Sequence, residues 1–195
     1  MNTGSGLCRP RQAVALFVLT AFALLANGRF AEASLQCKLY QWSSEKAQYE
    51  TTYRYSAEQT KAARETYAPL PKKGVFAIAR LYEIAPEATT TKPCKNLAVT
   101  KRLFLQRKND PDFVFREIIK FYADDGTLVA TNIQDLSEQL PRTGYYLAAD
   151  PLPIPEDAPP GRYKMVSELV LTKKGRRQAF LLASAQIEYE ILPLD

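Results

Sequence analysis

The chain of 195 residues contains no histidine, and this absence removes more chemistry than any other feature of its composition. Ser-His-Asp and Cys-His catalysis need an imidazole base, and histidine-bearing zinc and haem sites need one as a ligand. Cysteine is scarce, with only Cys8, Cys37 and Cys94 present, so thiolate-rich metal centres lose their donors. A membrane-spanning stretch is missing as well. The uncharged apolar run from Ala13 to Ala26 has fourteen residues, whereas a helix crossing a bilayer needs about 20. Net charge is also modest, at +5.

That short apolar run, preceded by Arg9 and Arg11, has the form of a secretory signal, and Ala31 and Ala33 in "FAEAS" fit a small-residue cleavage site before Ser34. Cys37 lies too far beyond the run to be a lipidated cysteine. No twin-arginine pair precedes the run, so export of a folded, cofactor-loaded protein is not implied. The expected organisation is residues 1–33 as signal peptide, 34–73 as an N-terminal elaboration with a short helix, and 74–195 as a β-sandwich domain. The expected compartment is periplasmic or secreted. Losing the leader lowers the formal charge from +5 to +3, a poor balance for nucleic acid, and leaves no stable membrane span. Cys37 and Cys94 then remain as a pair in an oxidising compartment. They are either bridged or two buried thiols, and the redox argument favours the bridge.

Within 34–73 the pattern is aromatic and polar, punctuated by Tyr40, Trp42, Tyr49, Tyr53, Tyr55 and Tyr67. Ser56 followed three residues later by Gln59 is a capping signal, predicting a helix over 57–67 that Pro69 and Pro71 end. After Gly74 the period changes to that of strands. "VFAIARLYEI" reads as a well-buried strand. "NLAVTKRLFLQRK" puts Leu97, Val99, Leu103 and Leu105 on one face, with Lys101 alone breaking it. Asp125-Gly126 between two strand-like runs predicts a hairpin with a type I′ turn. Proline-dense "DPLPIPEDAPPG" predicts a sheet edge or a long connection. In the final run, Ala179, Leu181, Ala183, Ala185, Ile187, Tyr189 and Ile191 share one parity, predicting a closing strand with one buried face. It should pair antiparallel through "KKGRR" with the run 162–172.

Gly161 and Tyr163, a Gly-x-Tyr opening the penultimate strand after a proline-rich connection, resemble the bacterial exported immunoglobulin-like β-sandwich domains, with Tyr163 matching the tyrosine corner. The resemblance extends over residues 75–191. It implies a mainly β, antiparallel sandwich, here with a short N-terminal helical elaboration, and it brings no activity with it.

Candidate chemistry is sparse. The acidic pairs Asp110 and Asp112, Asp124 and Asp125, and Glu156 and Asp157 all lie where turn residues are expected. Lys173, Lys174, Arg176 and Arg177 form a basic tip that reads as a solvated hairpin end or as a contact for an acidic partner. Tyr40, Trp42, Tyr49 and Tyr53 supply large rigid contacts and read as core packing or as a binding surface. No catalytic residue, cofactor or metal emerges. The function expected is that of a non-catalytic binding or accessory module acting on a protein or glycan of the cell envelope. Its rivals are a carboxylate-dependent enzyme on envelope polysaccharide and a structural subunit of a surface assembly.

Overall fold

The computed structural model describes residues 37–39 and 50–194, so the signal peptide expected over 1–33 lies outside the described residues. The strands' inner-face alternation builds the rest. Leu97, Val99, Lys101, Leu103 and Leu105 on β4 (Asn96–Arg107) all point inward and are buried. Phe113, Phe115, Glu117 and Ile119 do the same on β5 (Phe113–Ala123). Two such faces can leave water only by packing on each other. The first sheet has the order β1 (Arg54–Ser56), β7 (Gly144–Pro153), β4, β2 (Ala77–Pro86). The second runs β3 (Thr90–Thr91), β9 (Ala179–Ile191), β8 (Gly161–Lys173), β5, β6 (Leu128–Asp135). All pairings are antiparallel except β3 with β9. The result is the expected mainly β sandwich.

The helix α1 (Ala57–Thr66) begins where the capping signal placed it: the Ser56 hydroxyl accepts the Gln59 amide at 3.4 Å. Residues on the near side of the expected boundary at 74 are built into the sandwich, because β1 is a strand of the first sheet and Tyr53 is part of its core.

Three local expectations change. The first strand after Gly74, β2, is an edge strand and mostly half-buried rather than well buried. The β5–β6 turn is not type I′. Among described non-glycine residues only Cys94 has a positive φ, so Asp125 lies outside the left-handed region and Gly126 alone adopts it, at φ 82°. The Gly126 amide bonds the Ala123 carbonyl at 2.9 Å, making a type I turn closed by a left-handed glycine. In β9 the register shifts between the pairs Leu169–Ala183 and Val170–Leu181, leaving Leu182 as the extra residue. That bulge reverses the facing of what precedes it, so Leu181 is 61% exposed while Leu182 packs on the core. The proline-dense segment is the expected sheet edge: Asp150 to Pro153 pair with β4, but β1 covers only Tyr145 to Leu147 of β7, so the prolines border a free edge where their missing amides cost nothing.

Cys37 and Cys94 form a disulfide with a Cα–Cα distance of 5.1 Å, 57 residues apart in sequence. Tyr163 is the expected tyrosine corner: its hydroxyl donates to the Pro159 carbonyl, four residues upstream, at 2.8 Å. Gly144-Tyr145-Tyr146 repeats the device, with Tyr146 donating to the Arg142 carbonyl at 2.6 Å. Gly144 leaves room there for the ring of Tyr55, which a β-carbon would force to shift.

Candidate functional site

Four strands each place a polar residue on the inner face, at one level of the sandwich. Lys101 follows Val99 and precedes Leu103 on β4, and Glu117 lies between Phe115 and Ile119 on β5. Asp150 lies between Ala148 and Leu152 on β7, and Ser167 between Met165 and Leu169 on β8. All four are buried. Together they form a polar belt that divides the interior into two apolar clusters. One contains Leu103, Leu105, Phe115, Tyr146 and Leu169; the other contains Val99, Ile119, Leu152, Met165 and Ile187.

At the belt's centre the Lys101 ammonium donates to both oxygens of Glu117, at 2.9 and 3.0 Å, and to the Thr51 hydroxyl at 2.6 Å. Neither charged side chain has any exposure. Glu117 Oε1 also accepts from Ser167 at 2.7 Å and from Tyr82 at 2.8 Å, with the Tyr53 hydroxyl at 3.5 Å. Burial pushes the Glu117 carboxyl up, but the Lys101 charge and the hydrogen bonds from Ser167 and Lys101 outweigh it and hold the pKa below the ordinary value. Tyr53 and Tyr82 are raised well above theirs, by burial first and then by neighbouring charge including that of Glu117. Asp150 is raised by burial, partly opposed by the Thr52 amide and by Lys101. Its Oδ1 accepts that amide at 3.1 Å, while Oδ2 has no hydrogen-bond partner.

Chemically the belt is a closed lock rather than an open cleft. It fastens the segment 50–53 between the sheets. Gln134 Oε1 accepts the Thr51 amide at 2.7 Å, and its Nε2 returns a bond to the Thr51 carbonyl at 2.9 Å. Gln139 does likewise, accepting the Tyr53 amide at 2.7 Å and donating to the Thr51 carbonyl at 3.1 Å. Side-chain amides thus stand in for a neighbouring strand and satisfy backbone groups that burial would otherwise penalise.

Beside the belt, toward the disulfide, the sandwich opens into an apolar cleft of about 340 Å³ lined by Phe121, Val129, Leu152, Ile154, Ala158 and Tyr163, among others. Its walls are stiff. Tyr163 stacks on Tyr189 with ring centroids 5.8 Å apart, and Ile154 exchanges backbone bonds with Cys94 and Lys95 at 3.0 Å. Burial and Tyr163 push the Tyr189 pKa to about 12. A larger groove of about 1030 Å³ runs over the outer face of the first sheet, past Arg54, Glu83, Thr100 and Arg102. Within it Arg102 meets Glu83 at 2.7 Å.

The residues singled out from sequence do not converge. Tyr40, Trp42 and Tyr49 lie outside the described residues. Tyr53 is not a surface contact: it is 6% exposed and belongs to the core, because its inward ring completes the cluster beside the belt. Lys173 bonds Asp110 at 2.9 Å and lies over the Phe113 ring. Lys174, Arg176 and Arg177 remain exposed at the β8–β9 turn. The acidic pairs sit on three separate connections. Asp110 Oδ1 accepts the Asp112 amide at 2.9 Å, and Asp125 Oδ1 accepts the Thr127 amide at 2.9 Å, as turn residues do. Glu156 and Asp157 lie between β7 and β8.

Sequence reasoning flagged Lys101 as an anomaly but missed Glu117, Asp150 and Ser167. The available signal was the same break of an apolar parity, repeated in "FVFREIIKF", "YYLAADPL" and "MVSELVL".

No family model matches the chain, and no curated protein matches it. Among solved structures, a family 123 glycoside hydrolase from Clostridium perfringens is 12% identical, with a TM-score of 0.32, over 54% of this chain and 22% of that one. The CooA pilin subunit from enterotoxigenic Escherichia coli is 10% identical, with a TM-score of 0.30, over 61% of this chain and all of its own. Spo0M, a sporulation control protein from Bacillus subtilis, is 9% identical, with a TM-score of 0.29, over 62% and 50%. The match therefore spans about a fifth of the hydrolase, and likenesses at this level bring no function to this chain.

Proposed function

We propose that the protein is an exported, non-catalytic accessory module, periplasmic or secreted, which binds a protein of the cell envelope at the apolar cleft beside the disulfide. The observation that carries this reading is the cleft itself: a concave apolar surface on a sandwich stiffened by a disulfide and two tyrosine corners. Pre-formed apolar pockets on rigid frames give up little ordering entropy when an apolar side chain enters. The disulfide supports an oxidising compartment. No helix among the described residues is long and apolar enough to cross a membrane.

Ala158 is half-buried at the cleft wall, so Ala158→Arg should fill the cleft without touching the belt. Affinity capture from an envelope fraction is expected to recover a protein with the wild type and lose it with Ala158→Arg, at unchanged thermal midpoint. Equal recovery by both, or binding only to envelope glycan in a way the substitution leaves unchanged, would overturn the reading.

A further inference from the structure

The two ends of the sandwich differ in charge. Strands β5, β8 and β9 connect them: Phe121, Tyr163 and Tyr189 line the cleft at one end, while Phe113, Lys173 and Ala179 lie at the other. An extended chain advances about 3.3 Å per residue, so β8 between Tyr163 and Lys173 sets the ends about 30 Å apart.

Three connections meet at the end away from the cleft. The Lys108 amide bonds the Phe76 carbonyl at 2.9 Å and its ammonium bonds the Lys72 carbonyl at 3.1 Å, which ties residues 68–76 to the β4–β5 connection. The Lys174 amide bonds the Asp112 carbonyl at 2.8 Å and ties the β8–β9 turn to that same connection. Rings hold the junction from within: Phe76 meets Phe113 at 5.4 Å and Phe180 at 6.4 Å between centroids.

Joined in this way, the connections gather Lys72, Lys73, Lys108, Lys174, Arg176 and Arg177, all exposed except the half-buried Lys108. Their own acids are only Asp110 and Asp112, and Asp110 is already held by Lys173 at 2.9 Å. Asp135, at the end of β6, is close enough to Lys174 to feel its charge. A cationic excess remains. Among these charges Phe76 and Phe180 stay 44% and 38% exposed, with Lys108 over the Phe76 ring at 5.8 Å. The surface projects rather than recedes: nothing lies within 4 Å of where a β-carbon would stand at Gly74 or Gly175.

Cations alone would serve any polyanion. Exposed rings between them add apolar area that a bilayer can receive and a soluble polyanion cannot. Binding at an anionic bilayer surface draws on both terms, and clusters of about four to eight Lys and Arg are the usual size for it. We propose that this end is a docking surface for an anionic phospholipid bilayer, on which the protein rests peripherally with its cleft held away from the membrane.

The test is sedimentation of the mature, disulfide-bonded protein with vesicles. It should bind vesicles of equal parts phosphatidylglycerol and phosphatidylcholine, ignore phosphatidylcholine alone, and be released by raised salt. Lys174→Glu, Arg176→Glu and Arg177→Glu combined should weaken binding at least about thirtyfold at unchanged thermal midpoint. Lys38→Glu, Arg54→Glu and Arg162→Glu combined change the net charge equally at exposed positions outside this end. That control should stay within about threefold of wild type, because screening confines the attraction to cations near the surface. Equal losses in the two combined variants, or equal binding to both kinds of vesicle, would overturn the proposal. So would failure to bind either vesicle, with or without retention on heparin. Ala158→Arg should bind vesicles as the wild type does, and the turn variant should still capture the envelope protein, so failure of the cleft reading is told apart from failure of this one.

Discussion

The two apolar clusters and the polar belt between them are equally buried, yet they hold the sandwich together in different ways. The clusters stabilise by area: each buried Leu, Ile or Phe contributes about 1.5–3 kcal/mol, and a neighbour can adjust when one is trimmed. The belt stabilises by completeness. Lys101, Glu117, Ser167, Tyr82 and Thr51 satisfy one another within 2.6–3.0 Å, and removing one leaves the rest dehydrated and unpaired. The clusters make the molecule collapse. The belt fixes which strand faces which, because a one-residue slip of β4 or β5 would bury a charge without its partner.

Breaking the belt should have the largest effect. Lys101→Met strands Glu117 in the interior and should cost about 3–5 kcal/mol in denaturant unfolding. Trimming a cluster should cost slightly less and vary more with local relaxation: about 2–5 kcal/mol for Leu169→Ala. Replacing Cys37 and Cys94 together by Ala should cost about 2–5 kcal/mol, read as a drop in thermal midpoint under non-reducing conditions.

Next comes the pH dependence, where the belt's two carboxylates act in opposite directions. The Glu117 pKa lies below its unfolded value, so its contribution is present above that value and is lost as pH falls through the folded one. Asp150 is raised, so its contribution is fully present below its unfolded pKa and is lost as pH rises through the folded one. Asp150→Asn should therefore raise the unfolding midpoint at neutral pH, with the gain shrinking toward zero in acid. The smallest effect is expected at Leu181, which the bulge turns outward: Leu181→Ser should change stability by no more than about 0.5 kcal/mol.

Much of the frame was legible from residue order alone. The parity of β4, the Ser56 cap, the paired cysteines and the Gly161-Tyr163 corner each carry a local physical requirement that a sequence states directly. What stayed hidden depends on facts that one strand does not contain. Lys101 was visible as a break in an apolar face, but its meaning rests on β5 lying opposite and bringing Glu117 to it. Leu182 has no glycine or proline to announce a bulge, so the facing of Ala179 and Leu181 followed plain alternation and came out reversed. Tyr53 was open between core packing and a binding surface because the belt that receives its hydroxyl is assembled from β2, β5 and β8. The exposed edge of β6 follows from strand order, which the hairpin at Gly126 does not specify.

The most direct test of the belt as a mutual lock is to compare unfolding free energies of Lys101→Met, Glu117→Leu and the double variant. The account predicts that the double variant is more stable than either single one, because removing both charges leaves none stranded. Losses that simply add in the double variant would show that the two charges are accommodated independently, and would contradict it.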